Sequence, residues 1–69
     1  MSQGIVKWFN RHRGFGFLQP NDVGNDVFVH VSAVHRAGMH ALNVGQRIDY
    51  EIVADRKTGE PSADNLRSV

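Results

Sequence analysis

Turn-forming residues cut this chain into pieces too short for most folds. They cluster at Asn10 to Gly14, Pro20 to Asn25, Gly38, Asn43 to Gly45 and Asp55 to Pro61. The segments between them are rich in β-branched and aromatic residues, which reads as short strands. Strands are expected near Gly4–Phe9, Gly14–Gln19, Asp26–Val31, Arg47–Ala54 and Ser62–Leu66. Ser32–Ala37 is expected to make a turn of helix, with Ser32 as its cap and Gly38 ending it. Five short strands within 69 residues leave exposed edges unless the sheet closes on itself. A small all-β barrel forming one domain, residues 1–69, is therefore expected. No cysteine is available to staple it, so its thin core must hold it alone.

Alternation sorts the strand faces. Val27, Val29 and Val31 share one side of their segment, and Phe28 and His30 share the other. Phe15 and Phe17 lie opposite Gly14, Gly16 and Leu18, while Ile48, Tyr50 and Ile52 lie opposite Arg47, Asp49, Glu51 and Val53. A core of Leu18, Val27, Val29, Ile48, Tyr50, Ile52 and either Val6 or Ile5 follows, and it turns Phe15, Phe17 and Phe28 outward with His30. The inverted register would bury those phenylalanines, which their usual burial favours. It would also expose Leu18, Val27 and Val29 while burying His30. Gly16 suits a tight interior, where a missing side chain lets the sheet bend. Trp8 and Phe9 are adjacent, so a regular strand cannot present both on one face, and a bulge or strand end is expected there. Alternation alone leaves the face of Phe9 open.

The charge is distributed unevenly. Residues 1–21 carry Lys7, Arg11 and Arg13 and no acid, whereas residues 22–69 carry five basic and seven acidic residues, so +3 and −2 give the net +1. Five of the six aromatics (Trp8, Phe9, Phe15, Phe17 and Phe28) fall in or just beyond the basic stretch. Exposed rings bordered by cations match the chemistry of unpaired nucleic acid: the rings stack on bases and the cations hold phosphates. Intact duplex RNA offers no open base faces, so single strands are the expected ligand.

Arg13-Gly14-Phe15-Gly16-Phe17 matches the opening of the ribonucleoprotein signature. The signature's usual fold needs two amphipathic helices, and no segment here has a helical period. A wider set of motifs carries a different likeness. Lys7-Trp8-Phe9-Asn10, Gly14-Phe15-Gly16-Phe17, Asp26-Val27-Phe28-Val29-His30, Gly45-Gln46 and Ala63-x-Asn65-Leu66 follow in order and span about Gly4 to Leu66. In these the chain resembles the bacterial cold-shock protein family. The resemblance implies an all-β, five-stranded antiparallel OB-fold barrel that binds single-stranded RNA and DNA with low selectivity and acts as an RNA chaperone. It implies that Trp8, Phe15, Phe17, Phe28 and His30 stack bases, and that Lys7, Asn10, Arg13 and Asp26 supply polar contacts. Arg56 and Lys57 look like further phosphate contacts, and Phe9 and Met39 join the candidate set. The family usually has Phe at the position of Val31, and often at that of Met39. Val31 cannot stack, and a thioether lies on a base more weakly than a ring. The loop before the last strand is one residue longer than usual at Glu60.

Other classes find little support in these residues. His12, His30, His35 and His40 have no ligating spacing and no carboxylate cluster, so no metal or cofactor is expected. No nucleophile–base arrangement points to an enzyme or a small-molecule substrate. No apolar run reaches the roughly 20 residues of a membrane span, and the start lacks a secretory stretch, so a cytoplasmic monomer is expected. Two alternatives are a protein-docking module built on the aromatic face and a small OB-type translation factor bound to structured RNA.

Overall fold

The computed structural model describes residues 2–21, 24–54 and 59–69. In chain order the elements are β1 (Ser2–Asn10), β2 (Phe15–Pro20), β3 (Val27–His30), α1 (Val31–Arg36), β4 (Arg47–Ala54) and β5 (Pro61–Ser68). The strands close into a barrel in the order β1-β2-β3-β5-β4. Neighbours around a ring can alternate in direction only when their number is even. Five strands therefore leave one parallel joint, and it falls between β3 and β5, where Phe28 pairs with Ser62. The expected antiparallel barrel is corrected by that one pairing.

The barrel interior is filled by Val6, Leu18, Val27, Val29, Ile48 and Tyr50, with Ala33, Val34, Leu42, Ala63 and Leu66 completing it. The valine face thus points inward, as alternation requires. Between Val6 and Ile5 the choice falls on Val6, 1% exposed, against Ile5 at 39%. Ile52 departs from the expected core, at 54% exposed. It keeps phase with Ile48 and Tyr50, but β1 covers β4 only from Arg47 to Tyr50, so Ile52 lies past the end of that pairing, where β4 is joined to β5 alone.

Two irregularities set the faces. The register of β1 against β2 slips between Val6 and Trp8, leaving Lys7 as the extra residue. That bulge lets Val6 point inward while Trp8, two residues on, points outward. The other slip lies opposite Asp49 and Glu51, where Asn65 adopts φ 50. With one extra residue there, Ala63 and Leu66, three apart, both reach the interior.

The helix also corrects an expectation. It starts at Val31, one residue earlier, and its cap is His30, whose side chain accepts the Ser32 N–H. Ser32 sits inside the first turn, as donor. The last turn ends as expected: Gly38 has φ 81 and its N–H donates to His35 O, while the Met39 N–H donates to Val34 O. This closure folds Met39 back against the core.

Candidate nucleic-acid interface

Strands β1, β2 and β3 lie side by side, and pairing fixes which side chains share their outer face. Trp8 pairs with Phe17, Phe17 with Phe28, and Phe15 with His30. Residues directly opposed in an antiparallel pair project to the same side, so the five rings meet. Phe15 sits among Trp8, Phe28 and Phe17 at centroid distances of 5.4, 5.7 and 6.1 Å, stacked on Phe28 and edge-on to the other two. Phe17 lies 6.0 Å from Phe28 and 6.3 Å from Trp8, and His30 extends the row 6.4 Å beyond Phe28. These are the separations of mutually supporting aromatic pairs, so the rings brace one another. Trp8 remains 38% exposed, and the three phenylalanines are half-buried.

Gly16 makes this arrangement possible. It lies between Phe15 and Phe17 but faces inward, opposite Phe9. A β-carbon there would come within 2.7 Å of Phe9 Cδ1 and 2.8 Å of its Cα, and would collide with the Trp8 backbone oxygen. The missing side chain lets β1 lie close over β2. Phe9, on the face opposite Trp8, packs against the core and stands apart from the ring row, as does Met39.

Polar groups frame the rings. The Lys7 Nζ donates to Asp26 Oδ2 at 3.0 Å, a solvent-exposed ion pair of small net worth. The Asn10 carboxamide oxygen accepts the N–H groups of His12 and Arg13 at 2.9 and 3.2 Å. Asn10 thereby shapes the turn that carries the exposed Arg11, His12 and Arg13 beside the platform. Arg56 and Lys57 lie outside the described residues.

Ser32 was expected as the cap of the helix, not as a partner of His30. Its N–H donates to His30 Nδ1 at 3.1 Å, and its Oγ lies 2.9 Å from the same nitrogen. A serine two residues after a strand-ending histidine is the signal that sequence reading assigned to a serine cap instead.

A concavity of about 440 Å³ lies elsewhere, beside α1 and the β4–β5 pair, and none of the platform rings lines it. Its polar groups already engage one another, Arg36 with Asp64 at 3.1 Å and Asn65 Nδ2 with Glu51 Oε2 at 2.9 Å. The Asn65 N–H and the Arg36 guanidinium together hold the Asp64 carboxyl below its ordinary range, against the opposing effect of burial. Among the described residues no group of three or more His, Cys, Asp or Glu side chains could hold a metal ion. Among the described residues no helix is long and apolar enough to cross a membrane.

A closed five-stranded barrel with an outward aromatic platform and a basic rim defines an OB-type barrel of the nucleic-acid-binding class. Residues 2–69 match the family model of the 'Cold-shock' DNA-binding domain. The chain is 60% identical over 69 residues to cold shock protein CspA of Rhizobium meliloti, covering the whole of both chains. It is also 60% identical over 68 residues to the probable cold shock protein y4cH of Sinorhizobium fredii, covering 99% of each. It is 48% identical over 64 residues to the cold shock-like protein CspE of Escherichia coli, covering 93% of this chain and 90% of that protein. The chain belongs to the cold-shock domain family.

Proposed function

We infer that this protein binds single-stranded RNA and DNA across Trp8, Phe15, Phe17, Phe28 and His30, and acts as an RNA chaperone. The observation that carries this reading is the unbroken row of five rings, spaced 5.4 to 6.4 Å from neighbour to neighbour, on one side of β1–β3. Bases stacked on such rings gain about 1–3 kcal/mol each with little regard to sequence. Lys7, Arg13 and, between β4 and β5 in the sequence, Arg56 and Lys57 take phosphates, while Asp26 accepts from base amino groups. Residues 1–69 work as one domain and as a monomer, in the cytoplasm.

The mechanism uses no chemical step and no cofactor. A protein that binds unpaired strands draws hairpins open by mass action. Coating a nascent transcript in this way prevents terminator hairpins from forming, which gives a route to antitermination.

Trp8 reports the event directly. Its fluorescence is expected to quench with oligo-dT or oligo-U and to change little with duplex of the same length. Three or four phosphate contacts predict a log–log salt slope of about −2 to −3, at about −0.7 per contact on single strands. Equal binding of duplex, or tight capture of a protein partner with no salt dependence, would replace this reading by the docking-module alternative.

A further inference from the structure

Resting on that reading, the geometry points to His30 as a directional hydrogen-bond donor at the end of the platform, held in one tautomer by Ser32 so that its Nε2–H meets an oxygen acceptor of the bound strand. The observations are local and mutually constraining. His30 Nδ1 accepts the Ser32 N–H at 3.1 Å, and this bond caps α1. The Ser32 hydroxyl lies 2.9 Å from the same nitrogen. A neutral imidazole carries one hydrogen, and the bond made by one ring nitrogen decides where it sits. With the Nδ1 lone pair engaged, the hydrogen belongs on Nε2. His30 is exposed, its ring continues the row from Phe28, and Nε2 has no protein partner among the described residues. A phenylalanine in its place would stack but offer no donor. Position 30 therefore adds directional recognition to a row that is otherwise indifferent to base identity.

Oxygen acceptors occur on the strand as base carbonyls and as phosphodiester oxygens. Thymine and uracil present carbonyl oxygens, whereas adenine has only ring nitrogens, with an amino donor beside N7. A base-carbonyl partner therefore predicts a preference for oligo-dT over oligo-dA that depends on His30. A phosphate partner predicts a contribution that is uniform across sequences. Ser32 is a positioning residue: it acts on the strand only through the imidazole.

The first test uses the unmodified chain. Imidazole ¹⁵N spectra at mildly alkaline pH should show a bare Nδ1 and a protonated Nε2 on His30, both free and with oligo-dT bound. A protonated Nδ1, or rapid averaging of the two forms in the complex, would overturn the proposal. The second test compares His30→Phe and His30→Asn. Asn keeps an acceptor for the Ser32 N–H, so its melting temperature should stay near that of the parent while Phe lowers it. With His30→Phe the dT-to-dA affinity ratio should fall about threefold or more if the acceptor is a base carbonyl, the size of one neutral hydrogen bond. A loss uniform across sequences supports the donor role and assigns its acceptor to phosphate. Unchanged affinity for both oligo-dT and oligo-dA would sink it. Ser32→Ala keeps the backbone N–H on Nδ1 and should leave the ¹⁵N signature in place, and averaging in that variant would refute the backbone bond as what fixes the tautomer. Failure of the parent chain to quench with oligo-dT would instead refute the interface itself, so the two ideas fail separately.

Discussion

Phe15 is where the interface is most exposed to refutation, because three other rings lean on it. Replacing it with Ala removes one stacking surface, about 1–3 kcal/mol of binding. The contacts to Trp8, Phe17 and Phe28 mean that its loss also loosens the rings that remain. We therefore place Phe15→Ala in the upper half of that range, about 2–3 kcal/mol, or roughly 30- to 150-fold weaker binding. Stability falls as well. Truncating a fully buried Phe costs about 3–5 kcal/mol, and a half-buried one about half of that. A chain of 69 residues has a total stability of only about 3–10 kcal/mol. Binding must therefore be measured at low temperature, on a variant shown to be folded.

Phe15→Leu separates the two effects. It keeps most of the apolar volume and should cost less than about 1.5 kcal/mol of stability. It has no π-face, so affinity should fall nearly as far as with Ala. Anisotropy of labelled oligo-dT is the suitable readout, since Trp8 itself touches the substituted side chain. A folded Phe15→Leu variant that binds within about twofold of the parent would refute base stacking at the centre of the row.

Three further outcomes follow from the structure. Gly16→Ala should lower the urea midpoint by more than about 2 kcal/mol equivalent, because the atoms that its β-carbon would strike include backbone that cannot swing away. Asp64 is held below its ordinary value in the fold, so the stability it adds is complete above the unfolded carboxylate range and drains away as pH falls through the lower, folded value. Asp64→Asn should accordingly flatten the loss of stability between about pH 5 and about pH 2 in urea titrations, and an unchanged slope would refute the assignment. Val31→Phe should tighten oligo-dT binding about threefold or more by adding a ring next to His30, and no gain in a folded variant would place that position outside the bound path.

The strand pattern and the outward face were legible because alternation in β2 and β3 is clean. Leu18, Val27 and Val29 are apolar without exception on one side, and Phe15, Phe17, Phe28 and His30 occupy the other. What alternation could not supply lies where it breaks. A bulge was expected near Trp8 and Phe9, but only strand pairing assigns the extra residue to Lys7 and turns Phe9 toward the core. Leu66 joins the interior because Asn65 inserts a residue, which no period-two pattern reveals. Ile52 has the right phase, yet its burial depends on how far β1 reaches along β4, a property of the assembled barrel. The histidine cap was missed for a different reason. Serine is the usual N-cap residue, and here a neighbouring imidazole takes the acceptor role while Ser32 donates.

The platform and the core are two sides of the same three strands, so neither can be altered in isolation. Leu18 and Val29 fill the barrel from residues adjacent to Phe17 and Phe28, and Gly16 sets how closely β1 approaches beneath Trp8. A chain this short has no spare layer in which to build a separate site. It spends its outward β-positions on rings that support one another in the absence of ligand, so part of the solvation cost of an exposed aromatic face is offset by ring–ring contact. The same contacts fix the ring positions before a strand arrives, which reduces the ordering cost of binding. Stability and affinity should therefore fall together for Phe15, Phe17 and Phe28 truncations. His30 stands apart: its cap can be restored by Asn without its ring, and its ring by Phe without its cap. That separation makes position 30 the place where the contributions to folding and to recognition come apart by substitution of a single residue.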